Sequence, residues 1–205
     1  MTTTRRYTYE QAKIDAREAF QASLQGKPYH AQELLLRIRN ELKHLSGDLP
    51  IVGHRQAPEH TTDTPFVTQT FEEAQAWGWL ELASGVFQLK KSRPGASMVH
   101  FKRAWRIWRP WGMNIADESK RYEARRERLR ISLWLGEAWA RVISDRAQQV
   151  ANAVLRAALA ELTRIQADDL LEETIQQQRA LPPALPGTLI HNSGGQNTPY
   201  ICSLQ

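Results

Sequence analysis

Residues 116–178 read ADESKRYEARRERLRISLWLGEAWARVISDRAQQVANAVLRAALAELTRIQADDLLEETIQQQ. The stretch has no proline and a single glycine, Gly136, so almost nothing in it disfavours helix. Asp117 and Glu118 suit a helix start, because carboxylates there interact favourably with the helix dipole. Apolar side chains recur at spacings of three and four, at Leu135, Trp139, Val142, Val150, Val154, Ala158, Leu162 and Ile165. The stretch therefore predicts a long helical segment.

One unbroken helix of this length would extend about 90 Å, at about 1.5 Å per residue, which is longer than a compact domain of this size. We expect the segment either to fold back as a helical hairpin, near Gly136 or near Ser144 and Asp145, or to form a coiled coil. In the second case residues 135–165 would pair with another copy of the chain or with a partner protein.

The N-terminal region, residues 1–46, predicts a helical hairpin. Residues 8–24 suit a helix with Thr8 as its N-cap, and residues 29–45 repeat apolar side chains at helical spacing. Gly26 to Pro28 separate the two helices. Residues 46–65 are rich in proline and glycine and predict a linker or arm, and the tail at 181–205 has the composition of an extended or mobile segment.

Residues 66–112 predict a mixed helical and strand region. Thr70 to Trp79 suits a capped helix with Glu73 at the capping-box position. In residues 80–89, apolar residues alternate with other residues at period two on either side of Ser84 and Gly85, as in a β-hairpin. Residues 98–111 fit a third strand slightly better than a helix that would align Phe101, Trp105 and Trp108. Pro110 and Gly112 should end either element.

This order of a helix, Gly-Trp-Leu and a hairpin ending in lysines resembles the last part of a winged-helix domain, over residues 30–91. The resemblance implies a recognition helix at 70–77 and a wing at 83–91. The implied recognition helix carries Glu72 and Glu73 and no basic residue, so the wing and the segment after it would be the better contact surface for phosphates. The predicted fold class is α-rich α+β: N-terminal helical hairpin, winged-helix-like helix with a β-hairpin, and a long helical segment at 113–180.

Composition narrows the class of protein. The 205 residues, 41% hydrophobic, suffice for one ordinary core or two small ones, and no apolar run is long enough to cross a membrane. The first residues lack the apolar core of a signal peptide, and Cys202 is the single cysteine, so we expect a cytoplasmic protein without disulfides. No motif for a cofactor, a metal ion or catalysis was found, and we expect a non-enzymatic protein.

Positive charge is concentrated between residues 90 and 130, which hold 13 Lys or Arg and 4 Asp or Glu within a chain of net charge +5. No carboxylate occurs from Leu82 to Ala116. Basic side chains neutralise phosphates, and tryptophan rings stack on unpaired bases. The predicted nucleic-acid-binding residues are Lys90, Lys91, Arg93, Lys102, Arg103, Trp105, Arg106, Trp108 and Arg109. The tryptophans, Trp111 included, suit core packing equally well, and the basic residues could also form a solvated face.

Two further groups of charged residues occur in the chain. The run from Lys120 to Arg130 could contact nucleic acid or simply face solvent. Asp168, Asp169, Glu172 and Glu173 form carboxylate pairs at i, i+4 without a third ligand nearby, so we do not expect a metal site; this acidic helix end could instead meet the basic segment of the same or of another subunit.

The sequence predicts a protein that binds DNA or RNA. Two alternatives stay open: a helical subunit of a larger ribonucleoprotein or DNA-processing assembly, and a protein-binding adaptor or inhibitor that uses the heptad face.

Overall fold

The computed structural model describes residues 7–46, 68, 70–113 and 115–182, and every regular element in these ranges is an α-helix. The helices are α1 (Tyr9–Leu24), α2 (Pro28–Ser46), α3 (Phe71–Lys90), α4 (Pro94–Met113), α5 (Glu118–Ala140), α6 (Asp145–Ile165) and α7 (Asp168–Gln178). Because these ranges contain no strand, the predicted α+β class and the winged-helix architecture with its β-hairpin are wrong. The predicted linker between α2 and residue 68 and most of the predicted tail lie outside the described residues.

The N-terminal helical hairpin is confirmed. The backbone N–H of Gln11 donates to Thr8 Oγ1 over 3.2 Å, which makes Thr8 the N-cap of α1. Gly26 has a φ of +73° in the turn between the helices, a backbone conformation that glycine adopts without steric cost. α1 packs against α2 and α3, and α2 also contacts α3.

The predicted β-hairpin at residues 80–89 is instead the second half of α3. The predicted cap is correct, because Glu73 N–H donates to Thr70 Oγ1 over 3.1 Å. The helix then continues past Gly85 to Lys90, enclosed by α1, α2 and α4, so its apolar side chains are buried on all sides. A helix buried on every side lacks the one-sided 3.6-residue pattern, and a short apolar run can then imitate strand alternation.

α4 replaces the predicted third strand. Phe101, Ala104, Ile107 and Trp108 are buried on one side of it, at helical spacing. Pro110 lies inside α4, whose last residue is Met113, so the prediction that proline ends this element is also wrong. A proline this close to the end of a helix removes one backbone hydrogen bond, and only the last few residues of the helix follow it.

The long C-terminal segment folds back, as one of the two sequence alternatives predicted. α5 ends at Ala140, and Ser144 is the N-cap residue of α6, in agreement with a break at Ser144 and Asp145. Gly136, the other predicted break, lies within α5 where Leu155 of α6 packs onto it. α5, α6 and α7 enclose a second apolar cluster. Pairing of residues 135–165 with another chain stays a prediction.

Candidate polyanion-binding groove

A groove of about 750 Å³ lies between α4, α5 and α6. We call it the basic groove. Its lining residues are Lys102, Trp105, Arg106, Gly112, Met113, Arg125, Arg128, Leu129, Ser132, Leu135, Val154, Ala157, Ala158, Glu161 and Arg164. Five cationic side chains from three helices therefore face one cavity that holds a single carboxylate.

The end of α4 positions two guanidinium groups of α5. Arg125 Nε donates to the carbonyl oxygen of Gly112 over 3.2 Å. A Cβ atom on Gly112 would lie 3.1 Å from Arg128 Nη1, so the small residue leaves space for that side chain. The close approach of α4 and α5 at this point is what brings the basic residues of the two helices together.

Two arginines lie close to the Trp105 ring. The guanidinium carbon of Arg128 is 4.7 Å from the centroid of its ring, and that of Arg109 is 5.8 Å away. Both distances suit cation–π attraction, which orients guanidinium groups on an aromatic surface. Nearby, Lys102 Nζ lies 5.3 Å from the Trp139 ring. In this arrangement Trp105 holds arginines in place.

Arg128 is the most confined cation of the basic groove. Its Nε is buried without a hydrogen-bond partner in the described part of the protein. Burial lowers the pKa of Arg128 from its ordinary value, and the neighbouring charges of Arg109 and Arg125 lower it further, whereas Glu161 raises it. Positive charges are therefore crowded around a partly desolvated guanidinium.

The single carboxylate of the groove is already engaged. Glu161 Oε2 accepts a hydrogen bond of 2.6 Å from Arg164 Nε, and this bond lowers the pKa of Glu161, with further lowering by the charges of Arg125 and Arg128. Within the described ranges, no carboxylate lies within 4.0 Å of the charged nitrogens of Lys102, Arg106, Arg125 or Arg128. The groove thus has an excess of positive charge.

The structure brings together four of the predicted contact residues. Lys102, Trp105 and Arg106 line the basic groove, and Arg109 lies beside Trp105. Arg103 is a partly exposed residue of the same helix outside the lining. Trp108 is only 1% exposed and packs edge-on against Phe71, so in this fold its ring is a core element.

The other three predicted residues lie at the turn between α3 and α4. Arg93 precedes the first residue of α4 and is exposed, and from there to Lys102 the helix rises about 14 Å. Lys91 Nζ lies 4.2 Å from the Phe87 ring. Lys90 Nζ donates to the carbonyl of Ala180, and burial lowers its pKa. These residues do not line the groove.

Three cations of the groove were not among the predicted contact residues. Arg125 and Arg128 belong to the basic run at the start of α5, which sequence alone left between solvent and ligand. Their neighbours in the run, Arg126 and Arg130, point to α7, where Arg126 pairs with Asp169 through both guanidinium nitrogens and Arg130 Nη1 lies 2.7 Å from Glu173 Oε1. The basic run therefore contributes side chains to two faces of α5, one at the basic groove and one toward α7.

The same ion pairs show that two of the four acidic residues of α7, Asp169 and Glu173, meet the basic segment of the same chain. The described residues contain no group of three or more potential metal ligands. Arg164, the third missed cation, had no sequence signal, because it lies far along the chain from the basic segment and follows Glu161 by three residues.

No family model matches the chain, and neither a curated protein nor a solved structure was found to be similar to it. Among the described helices, none is long and apolar enough to cross a membrane.

Proposed function

We propose that this protein binds nucleic acid without catalysing a reaction, through the exposed basic residues of α4 and the basic groove. The observation that supports the proposal is the convergence of five cations from three helices on a cavity with one carboxylate, which is itself paired. Phosphates are the anions that such a surface holds best, because arginine forks match their oxygens and each contact releases counterions.

The proposed contacts are mainly to the backbone of the nucleic acid. The guanidinium groups of Arg109 and Arg128 already lie near the Trp105 ring, and Trp108 is buried in the core, so we do not expect either ring to stack on a base. Lys102, Arg106 and Arg109 are exposed along α4 and would contact successive phosphates. Binding of this kind is largely independent of base sequence and weakens steeply with salt. Nucleic-acid binding of this kind is compatible with the cytoplasmic location expected from the sequence.

The test compares single-stranded and double-stranded DNA and RNA in fluorescence anisotropy titrations at about 50 and 200 mM salt, a range in which phosphate contacts lose affinity strongly. The triple variant K102E/R103E/R106E removes three cations of α4. For a single strand, we expect the slope of log affinity against log salt to become less steep by about 2, since each lost phosphate contact accounts for about 0.7.

A matched control carries the same change of charge elsewhere. Lys27, Arg146 and Arg179 are exposed and do not line the basic groove, so K27E/R146E/R179E lowers the net charge by the same six units. This control should retain most of the salt slope. Equal losses in the two triple variants, or no binding of the unmodified protein to any of the four nucleic acids, would overturn the proposal.

A further inference from the structure

The charge and shape of the basic groove define its ligand more closely than a general polyanion surface does. A phosphodiester within a strand carries one negative charge, whereas a phosphomonoester carries close to two at neutral pH. Five cations and one paired carboxylate leave several positive charges in a space of about 750 Å³. A terminal phosphate compensates this excess better than one internal phosphate does.

Arg128 supplies the strongest reason to expect an anion inside the groove. Its guanidinium lies against the Trp105 ring, and its Nε is buried without a partner among the described residues. Desolvating a cation is costly unless it is paired and hydrogen-bonded. A phosphate with three acceptor oxygens can accept bonds from the terminal Nη groups of Arg128 and of its neighbour Arg125 together, and its charge would offset the desolvation of the buried guanidinium.

Apart from Ser132, the rest of the lining is largely apolar. It includes Leu129 and Leu135 of α5 and Val154, Ala157 and Ala158 of α6. Pockets of about 300–1,000 Å³ hold whole small organic molecules, and an inorganic phosphate would leave most of this space empty. The ligand therefore has an apolar or aromatic part joined to its anionic group, as a nucleotide has.

We propose that the basic groove binds a phosphomonoester carried by a nucleoside, with the phosphate on Arg125 and Arg128 and the base against the apolar wall formed by Val154 and Ala157. The same chemistry occurs at the phosphorylated end of a nucleic-acid strand and in a free nucleoside monophosphate. For the strand end, this inference rests on the proposed function.

The experiment uses the full chain and one 12-nucleotide single strand of DNA in three forms: with a 5′-phosphate, with a 3′-phosphate and with hydroxyl groups at both ends. Adenosine monophosphate and inorganic phosphate are titrated separately by calorimetry. We expect at least one phosphorylated strand to bind about tenfold more tightly than the hydroxyl strand, because the additional charge-assisted hydrogen bonds contribute at least one factor of ten.

Two kinds of variant test whether the preference arises in the groove. Ala157→Trp fills the groove from an exposed position and keeps every cation, whereas Ala153→Trp places the same bulk one turn earlier on α6, outside the lining. We expect A157W to reduce the preference to about twofold or less and A153W to retain it. Arg128→Met should also remove the preference, and Arg128→Lys should retain part of it, because lysine lacks the planar fork.

The outcomes separate this inference from the proposed function. If phosphorylated and hydroxyl strands bind equally and adenosine monophosphate gives no heat, the groove inference fails, while a salt slope sensitive to K102E/R103E/R106E still supports nucleic-acid binding. If no strand binds but the monophosphate binds and A157W abolishes this, the groove inference stands for the free nucleotide and the proposed function fails. A phosphate preference that A157W and R128M leave unchanged also overturns the groove inference.

Discussion

Replacing Gly85 by alanine tests the fold at the point where sequence pattern and structure disagree most. The new Cβ atom would lie 2.6 Å from Cδ1 and 2.9 Å from Cζ of the Phe101 ring, about 1 Å inside the usual contact distance between carbons of about 3.5–4.0 Å. Phe101 is fully buried and packs at a tilt against Trp134, so the ring has little space to move. Overpacking of this kind costs about 3 kcal/mol, and the better helix propensity of alanine offsets about 1 kcal/mol. We expect a net loss of about 2 kcal/mol.

Urea unfolding of the single and double variants measures this loss and its origin. Phe101→Leu makes room for the added methyl group, so the double variant G85A/F101L should be more stable than the sum of the two single losses predicts, by about 1–2 kcal/mol. Gly95→Ala is the control, because no atom lies within 4 Å of its Cβ position, and we expect it to be neutral or slightly stabilising. A glycine needed for a hairpin turn would instead show a loss independent of Phe101. Strict additivity in the cycle would refute the packing argument.

Three further predictions concern charge, capping and ligand linkage. Burial raises the pKa of Glu127 and the charge of Arg130, whose Nε lies 3.2 Å away, lowers it, so Arg130→Met should cost about 3–5 kcal/mol at pH 7. Removing the charge of Arg130 should raise the pKa of Glu127 further, so that the folded variant holds this proton more tightly and loses stability as pH rises. Urea unfolding should therefore show a smaller loss in R130M at pH 4 than at pH 7, and an equal loss at the two pH values would contradict this. Thr70→Ala should lower the free energy of unfolding by about 1 kcal/mol while Thr70→Ser does not, because only the alanine removes the acceptor for the Glu73 amide; equal losses in urea unfolding would argue against the cap. Adenosine monophosphate at about 100 times its Kd should raise Tm by about 5–10 °C in the unmodified protein, with little rise in A157W, as followed by circular dichroism.

The basic, Trp-rich segment illustrates how far the candidate site was predictable. The missing carboxylates between Leu82 and Ala116 led to the prediction of Lys102 and Arg106 as contact residues, and both line the basic groove. The structure also places Lys90 at the end of α3, outside the lining of the groove, and gives its side chain a backbone acceptor. The cations that complete the groove come from later in the chain. Charge density along a sequence cannot show which helices will lie side by side.

The sequence by itself determined where several helices begin and offered Ser144 and Asp145 as one of two places for a break in the long segment, while the second break, between α6 and α7, was not predicted. Local chemistry decides these points: the hydroxyl of Thr8 or Thr70 caps free amides, and an uninterrupted run of helix formers stays helical. Tertiary structure decided that residues 80–89 are helical, because α3 is enclosed by three helices and its apolar residues need no single face. Tertiary structure also decided which tryptophans are buried and which arginines line the groove. Trp108 reaches the core and Trp105 orients guanidinium groups, a difference set by which neighbours the packing of α4 against α3 and α5 supplies, and not by anything in their own flanking residues.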